Sequence, residues 1–219
     1  MTYPTDREAK ELLIRVGKEL HDSGLNRGTD GNFSCRVDGG DHLWTTCSGS
    51  AKGFLTEADL VKTDLEGNVL EGEKKPSSEL KIHLCVYRKN PLAQAAIHTH
   101  SVAATALASA GIGLTKPLLP PVSLQLGRVH VAPYALTGTA AVAESIEPFV
   151  EENNAVLLAN HGALTWGRNL WEAFTRMETL EQCAEIFLRV QALGTPQYLT
   201  EEQEQELHAL GVKLGNFVK

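Results

Sequence analysis

The stretch Ala95-Ala96-Ile97-His98-Thr99-His100 leads through Ser101 into the alanine-rich segment 102–110, VAATALASA. Its first four residues read as a buried strand, and Ser101 to Ala110 reads as a closely packing helix. In a strand, residues i and i+2 point to one side. His98 and His100 therefore share a side, about 7 Å apart by strand rise. Such a pair fits a shared cation, and it equally fits two ordinary polar histidines.

Outward from this stretch, strands and helices alternate. A helix is predicted over 6–23, capped by Thr5 or Asp6, with Leu12, Leu13, Val16 and Leu20 at helical spacing. Strands over 33–37 and 42–46 flank the turn Asp38-Gly39-Gly40-Asp41. A helical turn at 56–59 precedes strands 60–63 and 68–70, which flank the turn Glu66-Gly67. Pro76-Ser77-Ser78-Glu79 opens a helix running to 89, with Ser77 or Ser78 as its cap and Glu79 in its first turn. Further on come a strand at 129–132, a helix over 139–151 and a buried strand over 155–159. The kink Asn160-His161-Gly162 leads into a short strand to 166, and helices follow over 170–192 and 200–214. The order predicts an α/β fold: one domain over 1–219, with a mixed, largely antiparallel central sheet flanked by helices on both faces.

Composition narrows the function. Of 219 residues, 42% are apolar and 21% charged, which supports a packed core and argues against disorder. Lys plus Arg number 20 and Asp plus Glu 27, a net charge of −7, with no basic block, so no nucleic-acid partner is expected. No stretch approaches the roughly 18 apolar residues of a membrane helix. The first 25 residues are rich in charge, unlike a signal peptide. Cys35, Cys47, Cys85 and Cys183 are scattered, without a CxxC pair. They read as reduced thiols in a cytoplasmic protein.

Several further residues have the chemistry of a site. His161 ends a buried apolar run and precedes Gly162, where a chain turns out into a site; a satisfied core histidine fits the same pattern. Glu79 suits a helix dipole, and its position after two hydroxyls also suits a carboxylate beside a bound anion. Glu79, His98, His100 and His161 together offer three neutral nitrogens and one carboxylate, a donor set for four-coordinate zinc. His83, four residues after Glu79, is read as structural or as supporting a ligand. Gly31-Asn32 and Ser48-Gly49 are glycine turns whose backbone N–H groups suit phosphate. There is no Walker A loop and no GxGxxG after a strand, so nucleotide binding lacks support.

Thr29-Asp30-Gly31-Asn32, Ser48-Gly49, Pro76-Ser77-Ser78-Glu79, His98-Thr99-His100 and Asn160-His161-Gly162 follow one another in an order and spacing that resemble the class II aldolase/adducin family, over roughly 8–190. The resemblance implies zinc, with manganese or cobalt as alternatives, held by His98, His100, His161 and, without substrate, Glu79. It implies a phosphate pocket from Gly31, Asn32, Ser48, Gly49, Ser77 and Ser78, and a homotetramer with sites between subunits. The implied reaction is cleavage of a ketose 1-phosphate to dihydroxyacetone phosphate and an aldehyde, with Glu79 moving the proton. Residues 118–127 hold no Tyr, where the family's aldolases carry one. Their C-terminal aromatic has no clear counterpart, with Tyr198 or Phe217 as the candidates. The region 120–134 resembles instead the branch that decarboxylates phosphorylated 3-oxo-tetronates, in which Arg128 would bind the carboxylate. A third reading is a non-catalytic, adducin-like interaction module, a branch that commonly loses the metal histidines.

Overall fold

A computed structural model describes residues 2–217. Eight strands form one sheet: β1 (Asn32–Val37), β2 (His42–Thr46), β3 (Leu60–Asp64), β4 (Val69–Glu71), β5 (Ala95–Thr99), β6 (His130–Ala132), β7 (Ala155–Leu158) and β8 (Gly162–Gly167). Their order across the sheet is β4-β3-β2-β1-β5-β8-β7-β6. Every neighbouring pair is antiparallel except β6 and β7. The helices are α1 (Asp6–Asp22), α2 (Leu80–Lys89), α3 (Val102–Ser109), α4 (Ala140–Val150), α5 (Leu170–Leu193) and α6 (Glu201–Lys213).

Two apolar layers sandwich the sheet. On one face Leu13 and Val16 of α1, Leu107 of α3 and Met177 and Leu180 of α5 pack on Phe33, Cys35, Ile97 and Leu157. On the other, Leu84 of α2 and Ile146 of α4 pack on Ala96, Val156 and Leu164. Burying each large apolar side chain contributes about 1.5–3 kcal/mol. The alternation of the strands thus sorts Phe33, Cys35 and Ile97 to one layer, and Asn32, Ser34, Ala96 and His98 to the other.

The local signals explain most element ends. Thr5 and Glu8 form a capping box at α1. Asn169 caps α5, and Thr200 with Gln203 caps α6. Three details differ from expectation. The helix at α2 begins at Leu80, with Glu79 at the capping position rather than in the first turn. Ser77 does act as expected of a cap to the extent that its hydroxyl accepts the Glu79 N–H at 3.3 Å. That bond holds Glu79 at φ −96°, ψ 8°, outside the helix proper. A π-helical turn at Val122–Leu126 and a 3₁₀ turn at Lys52–Phe54 were not expected.

Candidate metal centre

Three short structural decisions bring distant residues together. The antiparallel register of β1 and β5 sets Asn32 opposite His98. Strand β5 ends at Thr99, and His100 follows before α3 begins. Strands β7 and β8 are joined by a three-residue connection, with Leu158 opposite Gly162. Asn160 in it takes φ 56°, a left-handed conformation that asparagine tolerates. The His161 N–H donates to the Leu158 carbonyl at 3.0 Å, and the tight turn aims the imidazole back over the sheet end.

The outcome is a cluster of three imidazoles, from His98, His100 and His161, with a potential ligand nitrogen of each within 4.8 Å of the others. Their ring centroids are 4.7–5.0 Å apart and the rings are steeply tilted to one another. His98 Nε2 lies 3.2 Å from His100 Nε2. The outer nitrogens are held from behind. His98 Nδ1 donates to the Ala163 carbonyl at 2.8 Å, and His100 Nδ1 faces Asp30 at 3.5 Å. The His98 bond fixes which of its nitrogens points inward.

Glu79 closes the cluster from the start of α2. Its Oε1 lies 3.0 Å from His161 Nε2 and its Oε2 3.4 Å from His98 Nε2. Oε2 also accepts from Asn32 Nδ2 at 3.0 Å. Burial alone would raise this carboxyl, but the neighbouring His161 and His98 outweigh burial and hold it well below the usual carboxylate range. The His100 imidazolium is disfavoured by burial and then by the charges of His98 and His161.

This donor set fits a divalent cation. Glu79 Oε1 is buried without a directed hydrogen bond. A cation between the converging imidazole nitrogens and the ionised carboxylate would satisfy both at once. Three nitrogens and one oxygen suit zinc.

Gly162 is required by this packing. A Cβ there would lie 2.5 Å from the Thr99 carbonyl oxygen and 2.8 Å from His100 Cδ2. Gly31 has φ +67°, and a Cβ on it would lie 2.5 Å from the His98 carbonyl oxygen. Both glycines let backbone approach the histidine strand.

Beneath the cluster runs a buried polar chain. Asn32 Nδ2 donates to Glu79, so Asn32 Oδ1 is the acceptor for His83 Nε2 at 2.6 Å. His83 Nδ1 then accepts from Ser34 Oγ at 2.7 Å, and the Tyr87 hydroxyl is 2.6 Å from Ser34 Oγ. A neutral His83 with its proton on Nε2 satisfies these contacts. Burial, then the charge of His98, pushes its pKa down to about 3.

Around this core the glycine turns converge. Residues 46–48 run antiparallel to 75–77: the Ser48 N–H donates to the Lys75 carbonyl at 3.0 Å and the Ser77 N–H to that of Thr46 at 3.2 Å. Ser48, Gly49 and Ser78 are exposed and Ser77 is half-buried. The Asn32 side chain is engaged by Glu79 and His83.

Other candidates lie elsewhere. Arg128 precedes β6 at the end of the sheet away from His161, and its guanidinium pairs with Glu204 of α6 at 2.9 Å. It is not part of the histidine cluster, which gives the carboxylate-binding expectation no support. Phe217 is buried, stacked on His208. Sequence reasoning missed Lys52, which is buried between the two glycine turns.

The sequence matches the family described as Class II Aldolase and Adducin N-terminal domain over residues 11–188. The chain belongs to this family. It is 36% identical to a 5-deoxy-D-ribulose 1-phosphate aldolase from Bacillus thuringiensis, covering 92% of this chain and 94% of that one. It is 34% identical to a 3-oxo-tetronate 4-phosphate decarboxylase from Haemophilus influenzae, covering 94% and 99%. A solved L-fuculose 1-phosphate aldolase superposes with a TM-score of 0.89 at 34% identity, covering 94% and 97%. The mixed sheet is the class II aldolase fold, and the chain is an enzyme of this family of metal-dependent lyases.

Proposed function

We propose that the protein is a zinc-dependent aldolase that cleaves a ketose 1-phosphate to dihydroxyacetone phosphate and an aldehyde. The observation that supports it most is the convergence of His98, His100, His161 and Glu79 at one end of the sheet. His98, His100 and His161 would hold the metal, with Glu79 as fourth ligand before substrate arrives. The metal supplies positive charge that stabilises a developing oxyanion, worth several kcal/mol.

The chain's own residues do the rest. Glu79, kept ionised by its histidine neighbours, takes the proton from the carbon beside the ketone in condensation. In cleavage the hydroxyl on the departing carbon loses its proton as that carbon becomes the aldehyde, the electrons of the broken C–C bond stay on the carbon beside the ketone, and Glu79, having taken up the hydroxyl proton, delivers it to that carbon. Asn32 Nδ2 offers Glu79 a hydrogen bond independent of the metal, so the carboxylate keeps one fixed partner when it moves. Gly31, Asn32, Ser48, Gly49, Ser77 and Ser78 would hold the phosphate and orient the reacting carbons.

Val102, Tyr134 and Leu136 are large, apolar and more than 60% exposed. Val102 starts the helix after His100, and the loop of Tyr134 and Leu136 is tied to α2 through Lys81 Nζ and the Gly138 carbonyl at 2.9 Å. This apolar rim supports a homotetramer with sites between subunits. The four cysteines are buried and free, in keeping with the cytoplasm.

A second reading keeps the site and changes the reaction to decarboxylation of a phosphorylated 3-oxo-tetronate. The absence of Tyr from 118–127 and the 34% identity to such an enzyme favour it. One experiment separates the two. Metal-replete protein is incubated with ketose 1-phosphates and with 3-oxo-tetronate 4-phosphate, and products are followed by NMR. Aldehyde release supports the aldolase, CO₂ release the decarboxylase, and neither from a broad panel contradicts both.

A further inference from the structure

Lys52 is 1% exposed, which is rare for a lysine without an acidic partner. Its ammonium donates to the Thr29 carbonyl at 3.1 Å and to the Ser50 carbonyl at 2.7 Å. Its own N–H donates to the Gly28 carbonyl at 3.3 Å. One side chain thus ties the 28–31 turn to the 48–50 turn. An ammonium has three donors, and two are used.

Among the described residues no carboxylate pairs with it, because the nearby ones are engaged elsewhere. Asp59 pairs with Lys74 at 2.7 Å, Asp30 faces His100 at 3.5 Å, and Glu79 faces His161 and His98. Hydrogen bonds alone would tie the loops, and a glutamine could make them without a charge. A buried charge is costly unless it is compensated. What the loops do not explain is therefore the charge itself. Asp30, Asp59 and Glu79 favour the ammonium only through space, so its third donor is left for an anion arriving at the turns, where Ser48 and Gly49 are exposed and the space beside Gly49 is open.

We propose that Lys52 selects for charge at the phosphate site: its buried ammonium, held between the two glycine turns, is neutralised by the phosphate dianion of the substrate. This rests on the phosphate-pocket reading above. It makes Lys52 a positioning and specificity residue, remote from the breaking bond, and it favours phosphate monoesters over the free sugars.

The test is calorimetric titration of inorganic phosphate and, separately, of uncharged dihydroxyacetone into the metal-replete wild type and K52Q. Glutamine keeps N–H donors and removes the charge. The expected result is about tenfold to a hundredfold weaker phosphate binding in K52Q, with dihydroxyacetone binding and metal content unchanged. Equal phosphate affinity in the two proteins overturns the inference and leaves the pocket reading intact. No phosphate binding by the wild type overturns the pocket reading and the inference with it. Weakening of both ligands in K52Q also overturns it, since a simple loop strap would produce that. If K52Q does not fold, wild type carrying ε-¹³C lysine is used after methylation of its accessible lysines. The resonance of the unmethylated lysine should then move along the phosphate isotherm, and a stationary resonance overturns the proposal.

Discussion

The two faces of strands β1 and β5 contrast sharply. Toward α1, α3 and α5 they present Phe33, Cys35, Val37, Ala95 and Ile97, all apolar and buried. Toward α2 they present Asn32 and Ser34, joined through His83 and Tyr87 into a hydrogen-bonded chain that ends at Glu79, and His98, whose Nε2 lies 3.4 Å from the same carboxylate. The same strands, with a period of two, carry a dry layer on one side and a polar chain on the other. The dry layer holds the sheet together, so the polar side can keep groups that burial disfavours. Variants on the two faces should therefore fail in different ways.

The largest effect is expected on the polar side. Glu79→Gln should lower kcat by about 10²–10⁴-fold, the usual contribution of a proton-transferring group, with the circular dichroism of the wild type retained. A variant that unfolds, or one that keeps full turnover, breaks the contrast. On the dry side, Phe33→Ala should cost about 3–5 kcal/mol of stability. For a chain of this length that is a melting point lower by very roughly 6–20 °C. Its metal stoichiometry should be unchanged, as metal titration of the variant at low temperature will show.

Gly162→Ala sharpens the comparison at the boundary. The added methyl would press on Thr99 and the His100 ring. Metal affinity should fall about 10–100-fold, the usual range when ligand orientation is disturbed, and a chelator competition assay reads this directly.

The smallest effect is pH-dependent. His83 is neutral in the folded protein with its pKa near 3, against about 6.5 when unfolded. Its contribution to stability is complete above about pH 6.5 and is lost progressively as pH falls from there toward 3, because the unfolded chain then binds the extra proton. His83→Gln should make denaturant-derived stability less steep over that window. Parallel curves for the two proteins would remove His83 from the polar chain.

Much of the fold was legible because local signals agree with it. The capping box at Thr5 and Glu8, the Asp38-Gly39-Gly40-Asp41 turn between β1 and β2 and the Asn160-His161-Gly162 turn each carry a chemical reason in the residues themselves. The start of α2 was misread by one residue, since nothing in Ser77-Ser78-Glu79 shows which hydroxyl takes the Glu79 N–H. The π-helical turn at Val122–Leu126 follows two prolines and has no periodic pattern to announce it. The histidine pair in 98–100 was visible, but its partner His161 comes from the turn between β7 and β8, far along the chain, and spacing alone does not show that they meet. Lys52 was invisible for a related reason. A lysine in a glycine-containing turn reads as exposed, and only the packing of α1 against the Lys52–Phe54 turn buries it. Asn32 reads as a phosphate contact from its place after Gly31, and nothing in the sequence shows that its side chain also serves Glu79 and His83.

The most direct test of the central claim is zinc titration of the metal-free protein, with X-ray absorption of the loaded form. The account predicts one zinc per chain with three imidazole ligands, and loss of tight binding in His161→Ala. Tight zinc binding that survives that substitution, or no tight binding by the wild type, would contradict it.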